Sequence, residues 1–191
     1  MIDSTLLVRA YRDGLFPMAL DGGEIGWFSP DPRGVLPLER FTASTRLRRV
    51  VRSNKFTVTV DRSFEDVMRA CADRDDGTWI SEEIRASYVA LHRLGVAHSV
   101  EVWRGGALAG GLYGVHLGGA FFGESMFHRV TDASKVALVA LVERLTARGF
   151  LLLDIQWLTP HLQQFGAVEI PRREYLRRLT RALAARCSFA G

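Results

Sequence analysis

At 191 residues, 48% of them hydrophobic and 24% charged, the chain is long enough to bury one good-sized core with at most a small second lobe. No window approaches the ~18 uninterrupted apolar residues of a membrane span, and the opening MIDSTLLVRAYRDG has no basic-then-apolar leader, so a cytoplasmic protein with no membrane partner is expected. The formal net charge is +4, carried almost entirely by arginine, since only Lys55 and Lys135 are lysines; Cys71 and Cys187, far apart, read as free thiols and not as a disulfide or metal site.

Residues 4 to 13 have helical spacing and end at Gly14. From Asp21 to Pro37 the chain reads DGGEIGWFSPDPRGVLP, dense in turn formers, and is expected to be a loop pinned to the body by Trp27 and Phe28. Helical spacing returns over Ser44 to Ser53, with Leu47, Val50 and Val51 opposite the arginines. Phe56 to Val60 alternates as a strand, and Ser63 to Asp73 reads as a helix capped by Ser63. A boundary near residue 60 would divide the chain into a small N-terminal domain, 1–60, and a larger domain, 61–191. The acidic turn DRDDGTWIS, residues 73 to 81, presents Trp79 before a helix from Glu82 to Leu94. His98 to Trp103 alternates as a strand, Gly105-Gly106 turns it into a second strand, Ala107 to Leu117, and Gly118-Gly119 leads into a third.

That third strand, AFFGESMF, opens the part of the chain where packing fails to explain the residues. Glu124 stands inside an apolar run, where a core strand would not normally carry a charge. HRVTDASK follows as a polar turn in which Thr131 or Asp132 can cap a nearly all-apolar helix from about Ala133 to Arg148, closed by Gly149. Phe150 to Trp157 is a second short apolar run, interrupted by Asp154 and Gln156, which strand period places on one face about 6 to 7 Å apart. Strand, buried helix, strand predicts a βαβ unit with parallel strands. Two carboxylates and an amide inside such a unit point to chemistry.

Arginines cluster twice, at Arg40, Arg46, Arg48, Arg49, Arg52 with Lys55, and at Arg172, Arg173, Arg177, Arg178, Arg181 and Arg186 on a closing amphipathic helix. Two basic faces point to a nucleic-acid partner, although a solvated helix face is the default for either alone. His98, His116, His128 and His161 show no metal-binding spacing.

The ordered series GLFP, WFSPDPR, GTWIS, HSVEVWR, GESMF, DASK, LLDIQ and EIPRREYL resembles the bacterial leucyl/phenylalanyl-tRNA-protein transferase family over nearly the whole chain. The resemblance implies an α+β acyltransferase core like that of the acetyltransferase (GNAT) superfamily, a mixed sheet flanked by helices, behind a small N-terminal domain. It implies transfer of leucine, phenylalanine or methionine from an aminoacyl-tRNA, with no cofactor, to proteins with N-terminal arginine or lysine, which tags them for degradation. By the same resemblance Asp154 and Gln156 are the catalytic pair and Glu124 helps hold the substrate. Leu112, Phe121, Gly123, Met126, Leu138, Leu141, Leu145 and Leu153 would line the aminoacyl pocket, although from sequence alone these are ordinary core positions. Trp79 would stack on the terminal adenosine, and Arg46, Arg48, Arg49, Arg52, Arg172 and Arg173 would follow the tRNA backbone. One departure is Met18, where the family commonly has tryptophan.

The chemistry suits those residues. An aminoacyl ester is already activated, and the acceptor α-amine, with a pKa of roughly 7.7 to 8.0, needs only positioning and a mild base. Asp154 would take the proton or orient the amine, with Gln156 beside it; the plain alternative is a pair of hydrogen-bonded core polar groups ending a strand. For Glu124 the alternative is a partner for Arg129. A coenzyme-A-dependent N-acetyltransferase is the nearest rival, but its pyrophosphate sits on a glycine-rich turn, and HRVTDASK has no glycine. A non-catalytic tRNA- or N-terminus-binding module would not require Asp154 and Gln156.

Overall fold

The computed structural model describes residues 1–73 and 77–190. Part of the acidic turn read at residues 73 to 81 lies outside the described residues. The centre is a seven-stranded mixed sheet in the order β4-β5-β6-β7-β8-β3-β9. Its strands are β3 (Arg33–Val35), β4 (Thr57–Val60), β5 (Ala97–Arg104), β6 (Ala107–Leu117), β7 (Ala120–His128), β8 (Leu152–Gln156) and β9 (Val168–Ile170). Four consecutive strands, β4 to β7, pair antiparallel; β7 and β8 pair parallel, as the strand-helix-strand reading predicts. A separate hairpin joins β1 (Phe16–Ala19) to β2 (Ile25–Phe28).

The sheet is covered on both faces, which is why β5 and β8 are buried along nearly their whole length. One face packs the cluster built around Tyr11, Tyr88, Tyr113, Phe122 and Tyr175, contributed by α1 (Ser4–Arg12), α3 (Phe64–Ala72), α4 (Glu82–Arg93) and α7 (Arg172–Ala184). The other packs α5 (Ala133–Ala147), with α2 (Thr45–Arg52) and the short α6 (Pro160–Gln163) nearby. α5 is the crossover between β7 and β8, and it is apolar on nearly every side because it is buried on nearly every side. Asp132 stands at its N-terminus, but its side chain does not cap the helix: the carboxylate accepts two hydrogen bonds from Arg46, both 2.7 Å.

The stretch expected to be a loop, residues 21 to 37, holds two strands. β2 completes the hairpin, and β3 inserts between β8 and β9 in the main sheet. Three residues carry too little alternation to register as a strand, and tertiary pairing supplies what local propensity lacks. Gly34 makes the insertion possible, since a Cβ there would lie 2.7 Å from the backbone carbon of Trp157. β3 and β4 thus put residues before 61 into the same sheet as those after it, and Leu7, Tyr11 and Phe16 share a core with Phe64 and Tyr88.

Candidate active site

Pairing between β7 and β8 covers only three positions: Ala120 with Leu152, Phe121 with Leu153, and Phe122 with Asp154. Beyond the last pair each strand continues without the other, and the gap between them is a cavity of about 380 Å³. Its apolar wall comes from Leu112, Met126, Leu138, Leu141, Leu153 and Ile155. Its polar groups are Glu124, Ser125, Gln156 and Thr159, and Phe16, Met18, Trp79, Tyr113, Gly123, Trp157, His161 and Leu162 complete the lining. Trp157 is 43% exposed, so this aromatic part opens to solvent.

Glu124 reaches the cavity through a bulge. On β7, Gly123 pairs with Gly114 and Ser125 with Tyr113, leaving Glu124 as the extra residue between them. Such an insertion re-aims a side chain that a regular strand would alternate away. Gly114 is required opposite it, because a Cβ there would lie 2.3 Å from the Phe122 carbonyl oxygen.

The Glu124 carboxylate accepts hydrogen bonds from neutral donors. The Tyr11 hydroxyl donates to Oε1 at 2.7 Å, the Gln156 amide to Oε1 at 3.1 Å, and the Tyr88 hydroxyl to Oε2 at 3.2 Å; Tyr11 and Tyr88 also bond each other. Removal from water pushes Glu124 up to about 8; the Asp154 charge adds to the rise, while the tyrosine bonds and Arg33 oppose it. Burial and the Glu124 charge in turn hold both tyrosines well above their usual value, so they serve as donors. Arg129, the alternative partner, lies over the Phe127 ring instead, 5.6 Å from its centroid.

Asp154 has different surroundings. It is fully buried, and it does not line the cavity. Arg33, equally buried, donates from Nε to Oδ1 at 2.9 Å and from Nη2 to Oδ2 at 2.6 Å. The Tyr175 hydroxyl donates to Oδ2 at 2.7 Å, and the backbone N–H of Gln156 donates to Oδ1 at 2.9 Å. Four donors engage that carboxylate, so the position read as a proton acceptor is held in an ion pair with Arg33 behind the cavity wall. Gln156 does reach the cavity, but by a backbone turn with φ +58° and not by simple strand alternation.

Six of the eight residues expected in the aminoacyl pocket line the cavity: Leu112, Gly123, Met126, Leu138, Leu141 and Leu153. Phe121 and Leu145 do not. Phe121 belongs to the paired part of β7 and stacks on Phe189, 5.0 Å between centroids, and Leu145 lies in the core. Trp79 is half-buried and lines the cavity. Among the arginines, Arg46 is engaged by Asp132, Arg48 donates to the Ala43 carbonyl, and Arg172 donates to the Ser29 carbonyl; Arg49, Arg52 and Arg173 are exposed. Sequence reading missed Arg33, Tyr11, Tyr88 and Tyr175. The cavity also takes in His161, whose pKa burial lowers.

The chain is similar to a transferase of Rubrobacter xylanophilus, 59% identical over 97% of each chain, and to one of Gloeobacter violaceus, 58% identical over 96% of this chain and 95% of the relative; both are named leucyl/phenylalanyl-tRNA–protein transferase. Among solved structures it is similar to a GCN5-related N-acetyltransferase from Kribbella flavida, with a TM-score of 0.45 and 8% identity over 73% of this chain and 55% of that one. Residues 1–31 match the family model described as leucyl/phenylalanyl-tRNA protein transferase N-terminal domain, and residues 35–180 match that of the leucyl/phenylalanyl-tRNA protein transferase itself. By these family models and relatives, the chain belongs to the leucyl/phenylalanyl-tRNA protein transferase family of aminoacyltransferases.

Proposed function

We propose that the cleft between β7 and β8 moves leucine, phenylalanine or methionine from its tRNA ester to the N-terminal arginine or lysine of a cytoplasmic protein, marking that protein for degradation. The observation that carries this reading is the juxtaposition of an apolar slot with Glu124 and Gln156 at its wall. The slot takes the donor side chain. β-Branched isoleucine and valine would be rejected by clashes near the backbone, because apolar bulk alone discriminates by only ~1 to 3 kcal/mol per methylene.

In this reading the proton acceptor is Glu124, since Asp154 is committed to Arg33 and Tyr175. A carboxyl pushed up to about 8 and an α-amine of roughly 7.7 to 8.0 exchange a proton with little free-energy difference. The neutral amine attacks the ester carbonyl carbon, the C–N bond forms, and the proton goes to Glu124. Collapse breaks the bond to the ribose oxygen, and Glu124 returns the proton to that leaving hydroxyl. Gln156 orients the carboxylate through one amide N–H, leaving its other N–H for the developing oxyanion.

Trp79 offers a face to the terminal adenine, and the exposed arginines of α2 and α7 would track the acceptor stem through phosphates. A coenzyme A donor is disfavoured by Asp132. A buried carboxylate at the N-terminus of α5, held below the usual range by Arg46, stands where a pyrophosphate would need backbone amides.

The test is labelled Phe-tRNA offered with peptides beginning Arg or Asp, in the presence of excess acetyl-CoA. Label on the Arg peptide alone is expected. Equal labelling of both peptides would remove the acceptor assignment, and acetylation in place of phenylalanylation would remove the donor.

A further inference from the structure

Among the described residues Arg33 is a fully buried cation: it has no exposed surface, although an arginine is costly to desolvate. Its guanidinium serves three neighbours at once. One edge clamps Asp154 through Nε and Nη2; Nη1 donates to the Gly14 carbonyl at 2.9 Å; and Nη2 approaches the Tyr175 hydroxyl at 3.3 Å. The planar group also lies against the Phe16 and Tyr175 rings, its central carbon 4.9 and 4.3 Å from their centroids. Burial works against its charge, but the Asp154 carboxylate outweighs burial and raises its pKa.

These contacts tie together both sides of the cavity. Gly14 precedes β1, whose Phe16 and Met18 line one side. Asp154 lies behind the other, where its Oδ1 holds the backbone N–H of Gln156 in a left-handed turn that a glutamine adopts reluctantly. That turn places the Gln156 amide 3.1 Å from Glu124. A chain of contacts therefore runs from Arg33 through Asp154 and the Gln156 backbone to the group that meets the amine.

We propose that Arg33 is a positioning residue of the transfer reaction: by clamping Asp154 and Gly14 together it fixes the Gln156 turn and the spacing of the two cavity walls. This deepens the reading in which Glu124 accepts the proton. A lysine would supply the charge without the planar fork that meets two oxygens and a carbonyl at once. The groups facing Glu124 are Tyr11 from α1, Tyr88 from α4 and Gln156 from β8, with the Asp154 and Arg33 charges behind them. Removing Arg33 alone leaves the Asp154 charge uncompensated beside Glu124; removing both charges together does not.

The experiment measures transfer to an Arg-initiated peptide from pH 6 to 10 with wild type, Arg33→Lys, Arg33→Met and Arg33→Met/Asp154→Asn, alongside thermal unfolding and donor-tRNA affinity. Arg33→Lys is expected to fold, to bind tRNA within about twofold of wild type, and to lose at least about tenfold in kcat. The acid limb of kcat/KM should rise by roughly half a pH unit or more in Arg33→Met and fall back in the double variant. If Arg33→Met does not fold, the lysine variant decides through its kcat. Arg33→Lys with lowered unfolding temperature but kcat within threefold of wild type would overturn the proposal, as would an unmoved acid limb in a folded Arg33→Met. Glu124→Gln, run in parallel, separates the two readings: full turnover there removes the base assignment, while a kcat loss in Arg33→Lys still identifies the positioning role.

Discussion

The two carboxylates between β7 and β8 stand on either side of one boundary. Asp154 occupies the last paired position, opposite Phe122, and Glu124 lies two residues past it on the neighbouring strand. On the paired side the strands are closed, the space is filled, and the charge is met by two N–H groups of Arg33, the Tyr175 hydroxyl and the Gln156 backbone N–H. On the open side the donors to Glu124 are two tyrosines and an amide, all neutral, and a cavity lies in front. A nearby cation favours the charged form of a carboxylate and makes it a weaker base, whereas neutral donors in a buried site leave it able to gain a proton. In the proposed reading the difference in role follows from where strand pairing stops.

The largest expected effect comes from removing the open-side carboxylate. Glu124→Gln keeps the shape and one of the two acceptor oxygens, and turnover should fall about 10²- to 10⁴-fold with donor-tRNA affinity within about twofold; turnover within threefold of wild type would erase the contrast. On the paired side the loss should appear first in stability. Asp154→Ala leaves Arg33 buried without its counter-ion, a change worth about 3–5 kcal/mol, readable as a lowered denaturation midpoint. A variant as stable as wild type would contradict the ion-pair account of Asp154.

Trp79→Ala removes an aromatic face from the open side and should weaken donor binding by about 1 to 3 kcal/mol while leaving the acceptor KM unchanged. Unchanged affinity for Phe-tRNA in a filter-binding titration would assign Trp79 to packing alone. A further contrast lies in the pH dependence of stability. Because Glu124 is raised when folded, the native state keeps a proton that the unfolded chain releases above about pH 4.3, so wild type should lose stability relative to Glu124→Gln as pH rises from there to about 8, and no further above it. Equal slopes in chemical denaturation across that window would mean that Glu124 is not held out of water.

The sequence made the chemistry on the open side legible and hid most of its support. Glu124, Asp154 and Gln156 stood out alike, because a polar residue inside an apolar, β-suited run has few structural explanations, and nothing in the sequence set Asp154 apart from the other two; α5 stood out by length and hydrophobicity. The sheet from β5 to β8 followed from alternation and glycine turns. Arg33 gave no such signal. In SPDPRGVLP a single arginine among prolines and glycines has the look of a solvated loop residue, and only β3's insertion beside β8 buries it. Tyr11 and Tyr88 sit on amphipathic helices, where they count as apolar-face residues until their hydroxyls are seen to meet Glu124. Leu145 and Phe121 share helix face and strand with true cavity residues, but Leu145 lies a turn further along α5 and Phe121 falls on the paired side, so neither reaches the opening.

The central claim is that the open end of the β7–β8 gap holds the donor's side chain beside Glu124. A crystal structure of the protein with phenylalanine joined to adenosine through a non-hydrolysable amide tests it most directly. The account predicts the phenyl ring among Leu112, Met126, Leu138, Leu141 and Leu153, with the amino acid's carbonyl within reach of Gln156 and the adenine against Trp79. Density for the ring outside that slot, with Glu124 and Gln156 still bonded only to each other and the tyrosines, would contradict it.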